Sequence, residues 1–181
     1  MRVELSSVIP GLRRIEPDVF RDERGEFLET FNADDYAFTR ADGSAIEFVE
    51  DDLSVSRRGV LRGLHGDERT WKLVQCVQGS LYVVVADLRR DSGAYLRWEQ
   101  FDLSAANRLQ VLVPAGCATG IVALEDPSSL LYKQSERYSG EGAQFTVRWD
   151  DPALAIGWPV EDPVVSERDA SAPLLDAERA S

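Results

Sequence analysis

The sequence predicts an all-β fold, an antiparallel sandwich or barrel, on three observations. Short apolar runs alternating with polar residues recur at near-regular spacing from Phe27 to Trp149. Clusters of Gly, Pro, Asp and Ser punctuate them. Stretches with the 3.6-residue period of a surface helix are nearly absent.

Taken in order, the first candidate strands are short: Phe27 to Phe31, Glu47 to Val49 and Val60 to Leu64. Between them, Asn32 to Arg40 reads as one short helix, with Asp34 and Asp35 suited to its first turn. Leu73 to Val77, the turn Gln78-Gly79-Ser80 and Leu81 to Leu88 together read as a β-hairpin. Arg90-Asp91-Ser92-Gly93 breaks the chain, and Tyr95 to Leu103 alternates as a further strand. Arg108 to Val113 alternates until Pro114-Ala115-Gly116 turns it. Cys117 to Leu124 and Leu130 to Gln134 follow, split by Glu125-Asp126-Pro127-Ser128, and Gln144 to Trp149 closes the series. Beyond Pro159 the chain turns polar. This gives one domain over residues 1–181, a core of about 12–160 and a C-terminal arm over 161–181 that wraps the body and frays at its end.

Composition narrows the function classes. The chain has 181 residues, 44% hydrophobic and 29% charged, which suits a soluble domain with a real core. A net charge of −12 argues against nucleic-acid or membrane-surface binding, yet leaves room for an anionic small ligand held by a few local cations. No apolar run approaches a membrane span, and nothing resembles a signal peptide. Cys76 and Cys117 sit in apolar, strand-like surroundings, so a reducing cytoplasm fits better than a disulfide framework.

The chain has one histidine, His65. Histidine alone titrates near neutral pH without perturbation, so His65 is the candidate general base. One imidazole is too few for the usual transition-metal set, which predicts acid–base chemistry on an organic substrate without a metal. Arg62 lies three residues before His65, so strict alternation puts them on opposite faces; a bulge at Gly63 would turn both inward. Lys72 is a candidate oxyanion stabiliser. Tyr132 and Tyr138 are candidate acid and stacking residues. Asp169 would orient the imidazole, and Arg24 would grip a diphosphate. Each also has an ordinary reading: a surface arginine, a half-buried histidine, a strand-edge lysine, rim aromatics, a tail carboxylate and a charged hairpin.

Together these pieces form a pattern. Phe20-x-Asp22-x-Arg24-Gly25-x-Phe27-x-Glu29-x-Phe31, Gly59-Val60-Leu61-Arg62-Gly63-Leu64-His65, Lys72-Leu73-Val74 and Val85-x-Asp87-Leu88-Arg89-x-x-Ser92 closely resemble the dTDP-4-dehydrorhamnose 3,5-epimerase family. So do Leu103-Ser104-x-x-Asn107, Pro114-x-Gly116, Tyr132-x-x-x-x-x-Tyr138, Trp149-x-Asp151-Pro152, Ile156-x-Trp158-Pro159 and Ser166-x-x-Asp169. The likeness runs in order over nearly the whole chain.

The resemblance implies a cupin-like jelly roll with short peripheral helices, a homodimer, and a metal-free, cofactor-free epimerase of nucleotide-linked 4-keto-6-deoxy sugars, dTDP-linked first of all. By position, His65 would be the base, Asp169 its partner, Tyr132 the acid and Lys72 the support for the enolate oxygen. Arg62 and Arg24 would hold the diphosphate and Glu29 the nucleotide, with Tyr138 lining the pocket. Three stretches of the pocket wall depart from the family. Thr119 stands where many members have His, Glu50-Asp51-Asp52 where they have Gln-Asp-Asn, and Gly66-Asp67 where they have an aromatic and Gln. Glu50, Asp52 and Thr119 are therefore candidate substrate contacts. The loop from Gly66 to Lys72 is similar to a branch acting on less usual sugars, GDP-linked heptoses included. The alternatives are a 3-epimerase only, an epimerase of a GDP-linked keto-heptose, a 3,4-ketoisomerase on the same barrel and a non-catalytic sugar-binding barrel. A metal-dependent oxygenase ranks last.

Overall fold

A computed structural model describes residues 1–175. Two antiparallel sheets pack face to face and make the jelly roll that the resemblance implied. In chain order the strands are β1 (Arg2–Leu5), β2 (Arg13–Glu16), β3 (Val19–Asp22), β4 (Gly25–Leu28), β5 (Glu50–Ser56), β6 (Leu61–Gly66), β7 (Lys72–Gln78), β8 (Ser80–Asp87), β9 (Trp98–Ser104), β10 (Gln110–Val113), β11 (Cys117–Ala123), β12 (Ser128–Gln134) and β13 (Phe145–Thr146). Six of them form one sheet in the order β1-β2-β10-β7-β12-β5, and five form the other in the order β13-β6-β11-β8-β9. The β3–β4 hairpin stands apart as its own ribbon.

The core lies between the sheets. Val74 and Cys76 of β7, Val111 and Val113 of β10 and Leu130 of β12 meet Leu81, Val83 and Val85 of β8 and Cys117 of β11. β8 is buried along nearly its whole length because both its faces are covered. Leu81, Val83 and Val85 point into the barrel, while Tyr82 and Val84 pack against Trp98, Ile156 and Trp158. Each fully buried Val or Leu contributes about 1.5–3 kcal/mol.

Two sequence expectations fail here. β7 and β8 are consecutive but do not pair; they lie in different sheets. Gly79 makes that crossing, at φ +69, where a Cβ would stand 2.6 Å from the Pro127 carbonyl oxygen. The alternating pattern was correct for both strands, but pairing depends on which sheet each apolar face must join. Residues 32–40 also do not form a helix. Asn32 Oδ1 accepts the Asp34 N–H, the Tyr36 N–H reaches back once to the Asn32 carbonyl, and the Phe38 N–H then turns onto Tyr36. Both Tyr36 and Phe38 are buried beside Trp71 and Leu73, a two-residue spacing that one helix face does not supply.

Strand ends also moved. The segment at Glu47–Val49 lies just before β5, the strand at Gln144–Trp149 shortens to β13, and β1 and β2 were not anticipated. The helical pieces are a 3₁₀ turn at Glu141–Ala143 and α1 at Glu167–Ala170. The C-terminal arm returns to the barrel through Val164, which bridges Val60 in parallel. The fraying expected of its end falls on residues 176–181, outside the described residues.

Candidate active site

Between the sheets opens a cavity of about 740 Å³. His65, Arg62, Lys72, Thr119, Tyr132, Tyr138, Asp52 and Asp169 all line it. Eight candidates scattered over more than a hundred residues of sequence thus share one chamber.

The glycines of β6 explain how Arg62 and His65 turn the same way. Thr119 of β11 pairs with His65, and Ile121 pairs with Arg62, so two steps on β11 oppose three on β6. That bulge resets the alternation at Gly63. Its φ is +134, and a Cβ there would lie 2.6 Å from Gly120 Cα and 2.7 Å from the Thr119 carbonyl oxygen. Backbone conformation and close approach both demand glycine.

Asp169 reaches His65 from the arm. Ser166 caps α1, its Oγ accepting the Asp169 N–H at 3.1 Å. Asp169 Oδ1 lies 2.6 Å from His65 Nε2, and Oδ2 accepts the Gly63 N–H at 3.3 Å. The carboxyl is only 2% exposed. Burial alone pushes such a group up, but hydrogen bonds from His65, Gly63 and Ser166 and the imidazole charge overrule it and hold Asp169 below the ordinary carboxylate range.

Tyr132 stands on the other sheet. It pairs with Asp52 on β5 and Val74 on β7, and all three line the cavity. Burial, then the Asp52 and Glu50 carboxylates, push its phenol up. Lys72 opens β7 opposite Gln134. Burial lowers its ammonium, against the pull of Asp67 and Asp52, and no described side chain hydrogen-bonds or ion-pairs with it. Arg62 is oriented by Ser56 Oγ at 3.0 Å. Tyr138 is a rim residue, 52% exposed.

The remaining candidates are placed differently. Glu50 does not line the chamber; it sits behind the wall, accepting the Tyr138 N–H and a Gln134 amide hydrogen. Arg24 lies at the tip of the β3–β4 hairpin, paired with Asp22 in solvent, and Glu29 follows β4 near Asn32. Neither reaches this cavity, because the hairpin belongs to neither sheet.

Sequence reasoning passed over Gln134, Gln144 and Arg168, all of which line the chamber. Arg168 donates to Thr146 Oγ1 at 2.9 Å and to Gln144 Oε1 at 3.2 Å. Its place inside Ser166-x-x-Asp169 was the available signal; the two glutamines carry none. No three His, Cys, Asp or Glu side chains among the described residues are grouped to hold a metal ion. The two thiols are buried and free, and burial pushes Cys117 up to about 12.

Comparison with known proteins gives one consistent pattern. Residues 6–177 match the family model described as dTDP-4-dehydrorhamnose 3,5-epimerase. The enzyme of that name from Salmonella typhimurium is 38% identical over 180 residues, covering 97% of each chain. Among solved structures, the Bacillus anthracis epimerase with TDP and pyrophosphate bound superposes with a TM-score of 0.88 at 36% identity, covering 96% of this chain and 99% of that one. The Legionella pneumophila epimerase in complex with dTDP-4-keto-L-rhamnose gives a TM-score of 0.87 at 35% identity, covering 98% and 96%.

Proposed function

The chain belongs to the dTDP-4-dehydrorhamnose 3,5-epimerase family, and from that premise we propose that it epimerises a dTDP-linked 4-keto-6-deoxy sugar at C3, C5 or both, with His65 as base and Tyr132 as acid. One observation carries the assignment of roles. His65, its Nε2 committed to Asp169 at 2.6 Å, and Tyr132 line the same cavity from opposite sheets.

The C4 ketone acidifies the C–H bonds on either side of it. With Nε2–H donated to Asp169, the imidazole keeps its lone pair on Nδ1, and that nitrogen takes the proton from carbon. The electron pair moves into the carbonyl to give an enolate. Lys72, buried and short of hydrogen-bond partners, gains one in the new oxyanion. The phenol of Tyr132 then returns a proton to the opposite face, and configuration inverts. The imidazolium loses its proton to solvent and the phenolate regains one, so solvent hydrogen enters the product. Each proton step has a side chain assigned to it, and no cofactor is required.

Arg62 is the diphosphate anchor of this reading. Arg24 and Glu29 join it only from a second copy of the chain, which fits a homodimer. β5, an edge strand, turns Asp52 and Ser54 into the chamber and leaves apolar Leu53 and Val55 more than half exposed, at 59% and 55%. Phe20 and Phe27 on the hairpin are exposed as well. Apolar side chains on an open edge need a cover. Two buried free thiols fit a cytoplasmic setting. We take residues 1–181 as one domain, since the arm supplies Asp169 to the barrel's own histidine.

The test is incubation of the purified protein in D2O with dTDP-linked 4-keto-6-deoxy sugar, read by NMR. Deuterium at C3 or C5 with inverted configuration supports the assignment. A carbonyl moved to C3 would instead mark a ketoisomerase, and binding with no exchange a non-catalytic barrel.

A further inference from the structure

Beside Tyr132, Asp52 on the chamber wall and Glu50 behind it stand two residues apart on β5, and one carboxamide clamps both. Gln134 Nε2 lies 2.7 Å from Asp52 Oδ2 and 3.1 Å from Glu50 Oε1. Both amide hydrogens are therefore committed. A neutral amide cancels no charge, and no described residue forms an ion pair with either carboxylate.

Register fixes what that charge faces. Asp52 is directly opposite Tyr132 on β12, and both line the cavity. Opposed residues in an antiparallel pair hold their Cβ atoms about 4.5–5.5 Å apart. One row along, Gln134 is opposite Lys72 on β7. Asp52 thus neighbours the phenol across one strand and the ammonium through its own clamp.

We propose that Asp52 is a positioning residue: its carboxylate, held by Gln134, keeps both cavity donors, the Tyr132 phenol and the Lys72 ammonium, in their protonated forms. This rests on the reading of Tyr132 as the acid. A negative charge opposes ionisation of a phenol and loss of a proton from an ammonium alike. Burial does not serve both: it favours the neutral phenol but also the neutral amine. Burial comes first for each group here, raising Tyr132 and lowering Lys72, and Asp52 reinforces the first effect while opposing the second.

The surrounding charges sharpen the point. β5 also presents Glu50, which raises the phenol, and Asp67 near the start of β7 helps Lys72. Across the chamber His65 and Arg62 face Tyr132 from β6, and Arg168, Asp169, Glu141 and Tyr138 also line the chamber. Arg62 pulls the phenol towards ionisation and Arg168 pulls Lys72 towards its neutral form. Among the described residues, Asp52 is the one carboxylate that opposes both.

The experiment compares kcat against pH for wild type, Asp52→Asn and Asp52→Glu on the dTDP-linked keto sugar, with Tyr132→Phe alongside. Asp52→Asn is expected to bring the alkaline fall in kcat down by about one pH unit, the effect of one charge several ångströms away in partly solvated surroundings. Asp52→Glu restores it. A direct readout that needs no turnover is the phenolate absorbance of Tyr132, taken as the difference from Tyr132→Phe, which ionises about one unit lower in Asp52→Asn. A raised KM with an unmoved alkaline limb and an unmoved phenolate titration makes Asp52 a plain substrate contact and overturns the proposal. Full activity of Tyr132→Phe overturns the acid assignment beneath it instead. If Asp52→Asn does not fold, Gln134→Leu releases the carboxylate without removing it; the limb then moves the same way by less, and an unmoved limb overturns the proposal.

Discussion

His65 and Asp169 are 104 residues apart in the chain and 2.6 Å apart in the fold. The pair joins a bulged strand to a one-turn helix on the returning arm, so the base is complete only when the arm is docked. His65→Ala should abolish deuterium uptake at C3 and C5. Asp169→Asn keeps the shape but lets the imidazole choose the wrong tautomer, and should slow uptake by about 10²–10⁴-fold. Uptake unchanged in either variant removes that residue from the mechanism.

The same pair sets a pH dependence of stability. Asp169 is held below its unfolded value of about 3.8. A carboxyl depressed on folding stabilises the native state above the unfolded pKa, and that contribution is lost as pH falls through the folded pKa. Denaturant midpoints of wild type and Asp169→Asn should therefore differ by a constant amount from neutral pH to about pH 5 and converge below about pH 4. A gap that stays constant into strong acid would mean the carboxylate is not stabilised by its partners.

Tyr132 and His65 occupy different sheets, which separates proton removal from proton return. Tyr132→Phe leaves the base untouched and deletes the donor. Inversion should fall by about 10²–10⁴-fold while exchange at carbon falls far less. Equal losses in the two rates would show that Tyr132 is not a separate acid. The measurement is one NMR time course in D2O that follows label and configuration together.

How far residues alone led can be judged from particular cases. The strand between Gly59 and Gly66 was readable with its bulge, because two glycines around an Arg-x-x-His spacing leave few ways to turn both side chains inward. The crossing at Gly79 was not, since a short turn looks the same whether the next strand pairs with the last one or joins the facing sheet. Tyr36 and Phe38 defeated a helix reading because tertiary burial outweighs local propensity. Gln134 was invisible: a glutamine has no chemical signature until two carboxylates are seen on one amide nitrogen. Arg24, singled out as a diphosphate fork on a charged hairpin, and Glu29, singled out by family likeness, lie outside the chamber of their own chain, a separation that no linear motif encodes.

Gly63 offers the sharpest test of how the site is built. Its left-handed φ of +134 is one barrier to a side chain, and the Gly120 backbone, 2.6 Å from where a methyl would sit, is the other. Neither neighbour is the far end of a flexible side chain, so the methyl can be accommodated only by separating β6 from β11. Strain at a positive-φ site together with overpacking costs typically about 2–4 kcal/mol. Gly63→Ala should lower the stability measured by denaturant unfolding by that amount. It should also cut exchange more than the stability loss explains, because the displaced strand carries both Arg62 and His65 and the N–H that Asp169 accepts. Gly59→Ala is the control: its φ is also positive, at +80, but nothing lies within 4 Å of the added methyl. That variant should lose stability with exchange at the folded protein's full rate. Equal loss of exchange in the two variants would mean that strain anywhere in the strand, and not the close approach to Gly120, governs the placement of the base.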